Sequence, residues 1–140
     1  MSKLFMLDTN MVTYISSGDS PEARKQLRKL AKDNEICISA ITEGEIRFGM
    51  ARRKLGQAKL DSIERVLAAL EILPWDSEVA QTYGEFRAKL ETAGKKLGAY
   101  DEQIAAHSLA VGAILVTADR GFREVGDLKN TVNWATDLKP

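Results

Sequence analysis

The chain has 140 residues, 44% hydrophobic and 29% charged, which is the size and balance of one globular domain spanning 1–140 with a single hydrophobic core. Its 20 basic residues cancel its 20 acidic ones, so long-range electrostatics alone would not hold it on nucleic acid, and any such contact has to be local. The lone cysteine, Cys37, excludes an internal disulfide; together with an amino terminus too short and too little apolar for a signal peptide, and no stretch of membrane-spanning length, this predicts a soluble cytoplasmic protein.

In chain order, residues 4–7 form a short apolar run that ends at Asp8 and reads as a first strand, with a helix beginning soon after Asn10 on Met11, Val12, Tyr14 and Ile15. Ser20, Pro21 and Glu22 supply a cap, a preset first turn and a dipole-matched acid for a second helix, whose apolar side carries Leu27 and Leu30. Residues 36–41 are β-branched and apolar, a second strand, after which Thr42 is expected to open a helix with Ile46 and Met50 inside. Leu60, Ile63, Val66, Leu67 and Leu70 recur at helical spacing. Residues 72–75 are short enough for a third strand, which Pro74 confines to a sheet edge. Asp76 or Ser77 caps a helix through Val79, Tyr83, Phe86 and Leu90, and Gly94 and Gly98 bracket a basic loop. Asp101 is expected to start a helix through Ile104, Leu109 and Val111; residues 113–116 form a fourth strand and residues 131–134 a last short one. Strands that alternate with helices, and run apolar without strict period two, predict an α/β fold with a parallel sheet covered on both faces.

Three of these strands are followed within a few positions by an acid: Asp8, Glu45 and Asp119. Parallel strands share one carboxyl edge, and in an open α/β sheet ligands bind in the crevice at that edge, where the strand order reverses. Asp101 would have to reach the same crevice from the helix side. Carboxylates within roughly 4 to 6 Å of one another resist joint ionisation unless a cation is present. Oxygen-only ligation suits magnesium or manganese, whereas zinc would want the histidine and cysteine of which this chain has one each, far apart. Such a site performs phosphodiester hydrolysis, and with His107 as the sole histidine, paired-histidine acid–base chemistry is hard to build.

Each acid also has a structural reading. Thr42 and Glu45 have capping-box spacing, Asp101 can be a plain helix cap, and Asp119 before Arg120 and Gly121 fits a turn. Asp8 is harder to dismiss, because a carboxylate at the end of a buried strand needs partners to offset its desolvation. His107 reads as a structural histidine. Arg47, Arg52, Arg53 and Lys54 read as a solvated helix face that could also line a phosphate path, and Tyr14, Tyr83, Phe86, Trp75 and Trp134 read as core or interface.

Four strings in order, Leu7-Asp8-Thr9-Asn10, then Glu43-Gly44-Glu45-Ile46-Arg47-Phe48-Gly49 after Ser39 to Thr42, then Tyr100-Asp101 to Ala105-Ala106-His107, then Leu115-Val116-Thr117-Ala118-Asp119 with Phe122, resemble the VapC toxins of bacterial toxin–antitoxin pairs, within the PIN-domain superfamily. The tail, Leu128 with Asn133-Trp134, is similar too. By that resemblance Asp8, Glu45, Asp101 and Asp119 match the family's acids, with Asp8 and Asp101 as principal metal ligands, Glu45 and Asp119 completing the site, and Thr9, Asn10 and Thr117 as supporting polar residues. Glu43 is the rival for the glutamate; Glu45 has the family's spacing to Phe48 and Gly49. The resemblance further implies an α/β/α sandwich with a mostly parallel five-stranded sheet in the order 3-2-1-4-5, a magnesium-dependent endoribonuclease that accepts manganese, a homodimer, and a cognate VapB antitoxin in the active-site groove. It also implies RNA as substrate, with initiator transfer RNA cut in its anticodon region a frequent target in this subgroup. Two other functions stay open at this point: a haloacid-dehalogenase-type phosphatase, against which Asn10 stands where a second aspartate is needed, and a non-catalytic PIN-like binding module.

Overall fold

The computed structural model describes residues 1–128 and 130–138. Its elements run β1 (Leu4–Leu7), α1 (Thr9–Ser17), α2 (Pro21–Leu30), β2 (Glu35–Ser39), α3 (Ala40–Arg52), α4 (Gln57–Ala68), β3 (Glu71–Leu73), α5 (Ser77–Thr92), α6 (Ala99–Val111), β4 (Ile114–Val116), a 3-10 turn (Arg120–Glu124) and β5 (Thr131–Val132). The five strands form one sheet in the order β3-β2-β1-β4-β5, every pair parallel. The α/β class and the strand order are those expected from the sequence, and the sheet is parallel throughout.

Strand alternation divides the interior into two cores. Phe5, Leu7, Ile36, Ile38 and Val116 face one side, where they pack with Met11, Val12 and Ile15 of α1, Ala23 of α2, Ile46 of α3 and Leu67 of α4. Met6, Cys37 and Leu115 face the other, against Phe86 and Leu90 of α5 and Ile104, Ala105 and Ala106 of α6. Because both faces are covered, the central strands are apolar at every position, which is why they lack a period-two pattern. Trp134 closes the first core with its ring 5.5 Å from that of Phe5. Burial pushes the Cys37 thiol up to about 12, with Glu71 and Glu35 adding to the rise, so the sulfur is an inert core atom. No helix among the described residues is long and apolar enough to cross a membrane.

Helix starts differ from the sequence reading at three places, each for a local reason. Asp8 itself caps α1 by accepting from the Met11 N–H at 2.8 Å, so that helix begins at Thr9 rather than after Asn10. Ser39 caps α3 by accepting from Ile41 N, so the helix begins before Thr42; Thr42 is buried within the first turn and Glu45 takes no part in a capping box. Helix α6 starts at Ala99 after Gly98, which puts Asp101 inside its first turn rather than at its cap. The expected strands over 36–41, 72–75, 113–116 and 131–134 are all present but shorter or shifted; β2 ends at Ser39 because that residue caps α3 and the chain turns into the helix there. Ile38→Ala, at a fully buried position of β2, should cost about 2–5 kcal/mol of stability, read as a lower denaturant midpoint at unchanged slope.

Candidate active site

Parallel pairing brings the ends of β1, β2, β3 and β4 to one edge, and the order reverses there between β1 and β4, the switch point where α/β sheets bind ligands. Asp8 follows β1 and Thr117 follows β4 at that point, the Asp8 N–H donating to the Val116 carbonyl at 3.1 Å. Only 4% of Asp8 is exposed, in keeping with a side chain held at the end of a core strand. Burial pushes its carboxyl from an ordinary 3.8 up to about 6; the Thr117 hydroxyl and the Met11 N–H pull it down, and the charges of Asp101 and Asp119 push it up again.

The other acids arrive from separate elements. Asp101 sits in the first turn of α6, where no side chain caps the helix and its carboxylate faces the positive end of the helix dipole. A Cβ at position 98 would lie 3.2 Å from an Asp101 carboxylate oxygen, so Gly98 makes the room that this side chain occupies. Asp101 is itself raised, by burial first and then by the charges of Asp119 and Glu45. Asp119 caps the 3-10 turn, accepting from Gly121 N at 2.8 Å, while its own N–H donates to the Thr117 hydroxyl at 3.0 Å. Glu45, on α3, accepts a 2.7 Å hydrogen bond from the Thr9 hydroxyl, which ties α3 to the start of α1. Its rival Glu43 turns outward instead and pairs with Arg47 at 2.9 Å.

Asp8, Glu45, Asp101 and Asp119 therefore share one electrostatic neighbourhood: Asp8 feels Asp101 and Asp119, and Asp101 feels Asp119 and Glu45. Among the described residues no three acidic, imidazole or thiol groups close on a common point as a ready metal cage. The four are oxygen donors near the switch point, with Asp8, Asp101 and Asp119 repelling one another and Glu45 acting on Asp101. That donor set fits a hard divalent cation in charge and chemistry, since such an ion removes the repulsion and the desolvation cost together. Of the supporting positions, Thr9 and Thr117 touch acids, while Asn10 is exposed on α1 at the lip of a groove shared with Glu45.

Two buried residues that the sequence reading left out of the site brace it from behind. The His107 Nδ1 lies 2.7 Å from the Ser39 hydroxyl, the same hydroxyl that caps α3, and the Trp75 ring meets the imidazole edge-on at 5.7 Å. Burial lowers the histidine, against the opposing charge of Asp76. This pair locks α6, which carries Asp101, to α3, which carries Glu45. The serine immediately before a helix was the available signal, but its partner 68 positions away was not.

A doubly wound, wholly parallel α/β protein with an all-oxygen acidic site at its switch point is the class that fold and geometry define. The PIN domain family model matches residues 5–128. Ribonuclease VapC2 of Rickettsia felis is 32% identical over 133 residues, covering 94% of this chain and 98% of the relative. The tRNA(fMet)-specific endonuclease VapC of Shigella flexneri is 30% identical over 132 residues, with the same shares of 94% and 98%. Among solved structures, VapBC2 from Rickettsia felis bound to a DNA fragment from its promoter superposes with a TM-score of 0.87 at 32% identity, covering 94% of this chain and 98% of that one. DNA-bound VapBC from Salmonella typhimurium gives 0.85 at 30% identity, covering 96% and 99%. The chain belongs to the PIN-domain family and, within it, to the VapC group.

The raised Asp8 carboxyl has a measurable consequence. Between its unfolded value near 3.8 and its folded value of about 6, the native state binds more proton than the unfolded chain, so metal-free stability falls as pH rises through that window. At about 1.4 kcal/mol per pH unit the displacement corresponds to up to about 3 kcal/mol. Asp8→Asn keeps an acceptor for Met11 N and removes the charge. In metal-free buffer the variant should be the more stable of the two at pH 7.5 and lose that advantage near pH 4, with denaturation followed in parallel so that the opposite-signed titration of His107 cancels.

Proposed function

We propose that the chain is the toxin half of a VapBC-type pair, an endoribonuclease that hydrolyses RNA phosphodiester bonds with magnesium, manganese being able to substitute. The observation that carries this reading is the coupling of Asp8, Asp101, Asp119 and Glu45 at the switch point of the sheet. Ribonuclease and endonuclease are the names of its relatives, at about a third identity over nearly the whole chain. Asp8 and Asp101 are the principal ligands in this reading, being the two acids that are raised. When bound, the ion would offset the charge of the phosphate and lower the pKa of an attacking water. Asp119, exposed at the rim and fixed by Gly121, and Glu45, held by Thr9, complete the acidic site; a carboxylate so oriented takes the proton that the attacking water gives up.

The partners follow from the relatives. Solved neighbours of this chain are VapBC complexes, and this supports a VapB-type antitoxin as partner; the homodimer is carried by the family resemblance alone. One relative is named for its action on initiator transfer RNA, which makes that molecule the first substrate to try. A haloacid-dehalogenase-type mechanism is disfavoured, because Asn10 stands where a second aspartate is needed and its amide cannot act as a general acid.

Incubation of purified chain with total RNA and with initiator transfer RNA in magnesium should give discrete cuts that chelation abolishes. Asp8→Asn or Asp101→Asn should lower the rate at least about 100-fold with the fold retained, an effect of the size found for loss of a charge-stabilising catalytic group. Glu43→Gln should cut at close to the parent rate while Glu45→Gln does not; equal losses at both would assign the glutamate wrongly. Metal binding without cleavage of any RNA would point instead to a non-catalytic binding module.

A further inference from the structure

Beside the acids lies a hollow of about 510 Å³ lined by Ala40, Ile41, Gly44, Glu45 and Phe48 of α3 and by Tyr100 of α6. That volume is in the range of sites that hold small organic groups, about 300–1,000 Å³. Phe48 is 63% exposed and Tyr100 56%; apart from Met1 they are the large hydrophobic side chains that the fold leaves in water among the described residues. Neither ring stacks on another aromatic ring among the described residues. Gly44 lies one turn before Phe48, and a Cβ built on it meets nothing within 4 Å, so the floor between the rings is open.

Cations border the same face. The Arg52 guanidinium stands 5.5 Å from the Phe48 ring centre, and Arg52 and Arg53 line the adjoining groove with Thr9, Asn10 and Glu45. Neither arginine has an ion-pair partner among the described residues, whereas Arg47 on the same helix is bound to both Glu43 and Glu64. Glu45 lines both hollows. The hollow thus lies within reach of a nucleotide next to any phosphodiester held at the acids. Aromatic faces beside unpaired arginines are what a single strand requires: bases stack on the rings while the cations follow the backbone. A base inside a duplex is already stacked and cannot enter.

Resting on the nuclease reading above, we propose that Phe48 and Tyr100 receive the base of the unpaired nucleotide next to the scissile phosphate, with Arg52 and Arg53 on its backbone. The ligand class is a single-stranded ribonucleotide segment, and the two rings are binding residues.

The test uses an unstructured RNA oligonucleotide carrying one 2-aminopurine, with the same sequence annealed to its complement as control. Phe48→Leu and Tyr100→Leu should each weaken binding of the single strand roughly 5- to 150-fold, the range set by loss of one base–aromatic stack. KM should rise in step, and the 2-aminopurine emission should no longer respond to binding. Phe48→Trp should restore both. Gly44→Leu fills the open floor while raising helix propensity, so it should fold at least as well as the parent and still bind poorly. The parent should cut the single strand and spare the duplex. Cleavage and binding by the leucine variants at the parent's level, equal cutting of duplex, or loss only of binding to a purified antitoxin would each overturn the proposal, the last marking the face as a protein contact. A parent that cuts no RNA refutes the nuclease reading separately, and the fluorescence titration in the Asp8→Asn background then decides the stacking on its own.

Discussion

A carboxylate at the end of a fully covered strand is the constraint around which this molecule is organised. The Leu7 side chain before Asp8 is wholly buried and the helix after it starts at once, so the charge of Asp8 is taken out of water by the same packing that makes the core. Its nearest sources of relief are one backbone N–H and the Thr117 hydroxyl, and its neighbours are further acids. An uncompensated arrangement of that kind is unfavourable by itself. A cation bound beside it would relieve that cost, so the stability of the chain and the proposed chemistry depend on the same carboxylate.

The scaffold divides labour between rigid and adaptable parts. Asp8 and Asp119 are fixed by local capping geometry, each accepting an N–H from a residue two or three positions on. Glu45 and Asp101 depend on how α3 docks: against α6 through Ser39 and His107, and against α1 through the Thr9 bond. A buried imidazole that never meets solvent thus serves the site by holding two helices in register. The same two helices carry Phe48 and Tyr100, so acids and exposed rings are positioned by one interface rather than two.

Zero net charge is consistent with a nucleic-acid site once the distribution is considered. Among the described residues Arg47, Arg87 and Lys89 are the cations tied up in ion pairs with nearby acids. Arg52 and Arg53 stand outside those pairs and share a groove with Glu45. Local pairing, and not total charge, decides where a polyanion is welcome.

The residue pattern was enough to read the layered α/β class, the alternation of strands and helices, the caps at Ser20 and Asp76, and the acids that follow three of the strands, because each depends on burial periodicity or on chemistry within one turn of chain. The same local rules placed the start of α3 at Thr42, since Ser39 offered an equally good cap three residues earlier, and they could not decide between a capping box and the site for Glu45, whose partner is Thr9, 36 positions back. Tertiary structure alone decided that Asp101 reaches the crevice from the first turn of α6, that Gly98 leaves space for it, that His107 braces Ser39, and that Phe48 and Tyr100 remain uncovered beside the acids. Those outcomes follow from how parallel strands align their carboxyl ends and how helices pack across them, and contacts of that range leave no trace in the spacing of neighbouring residues.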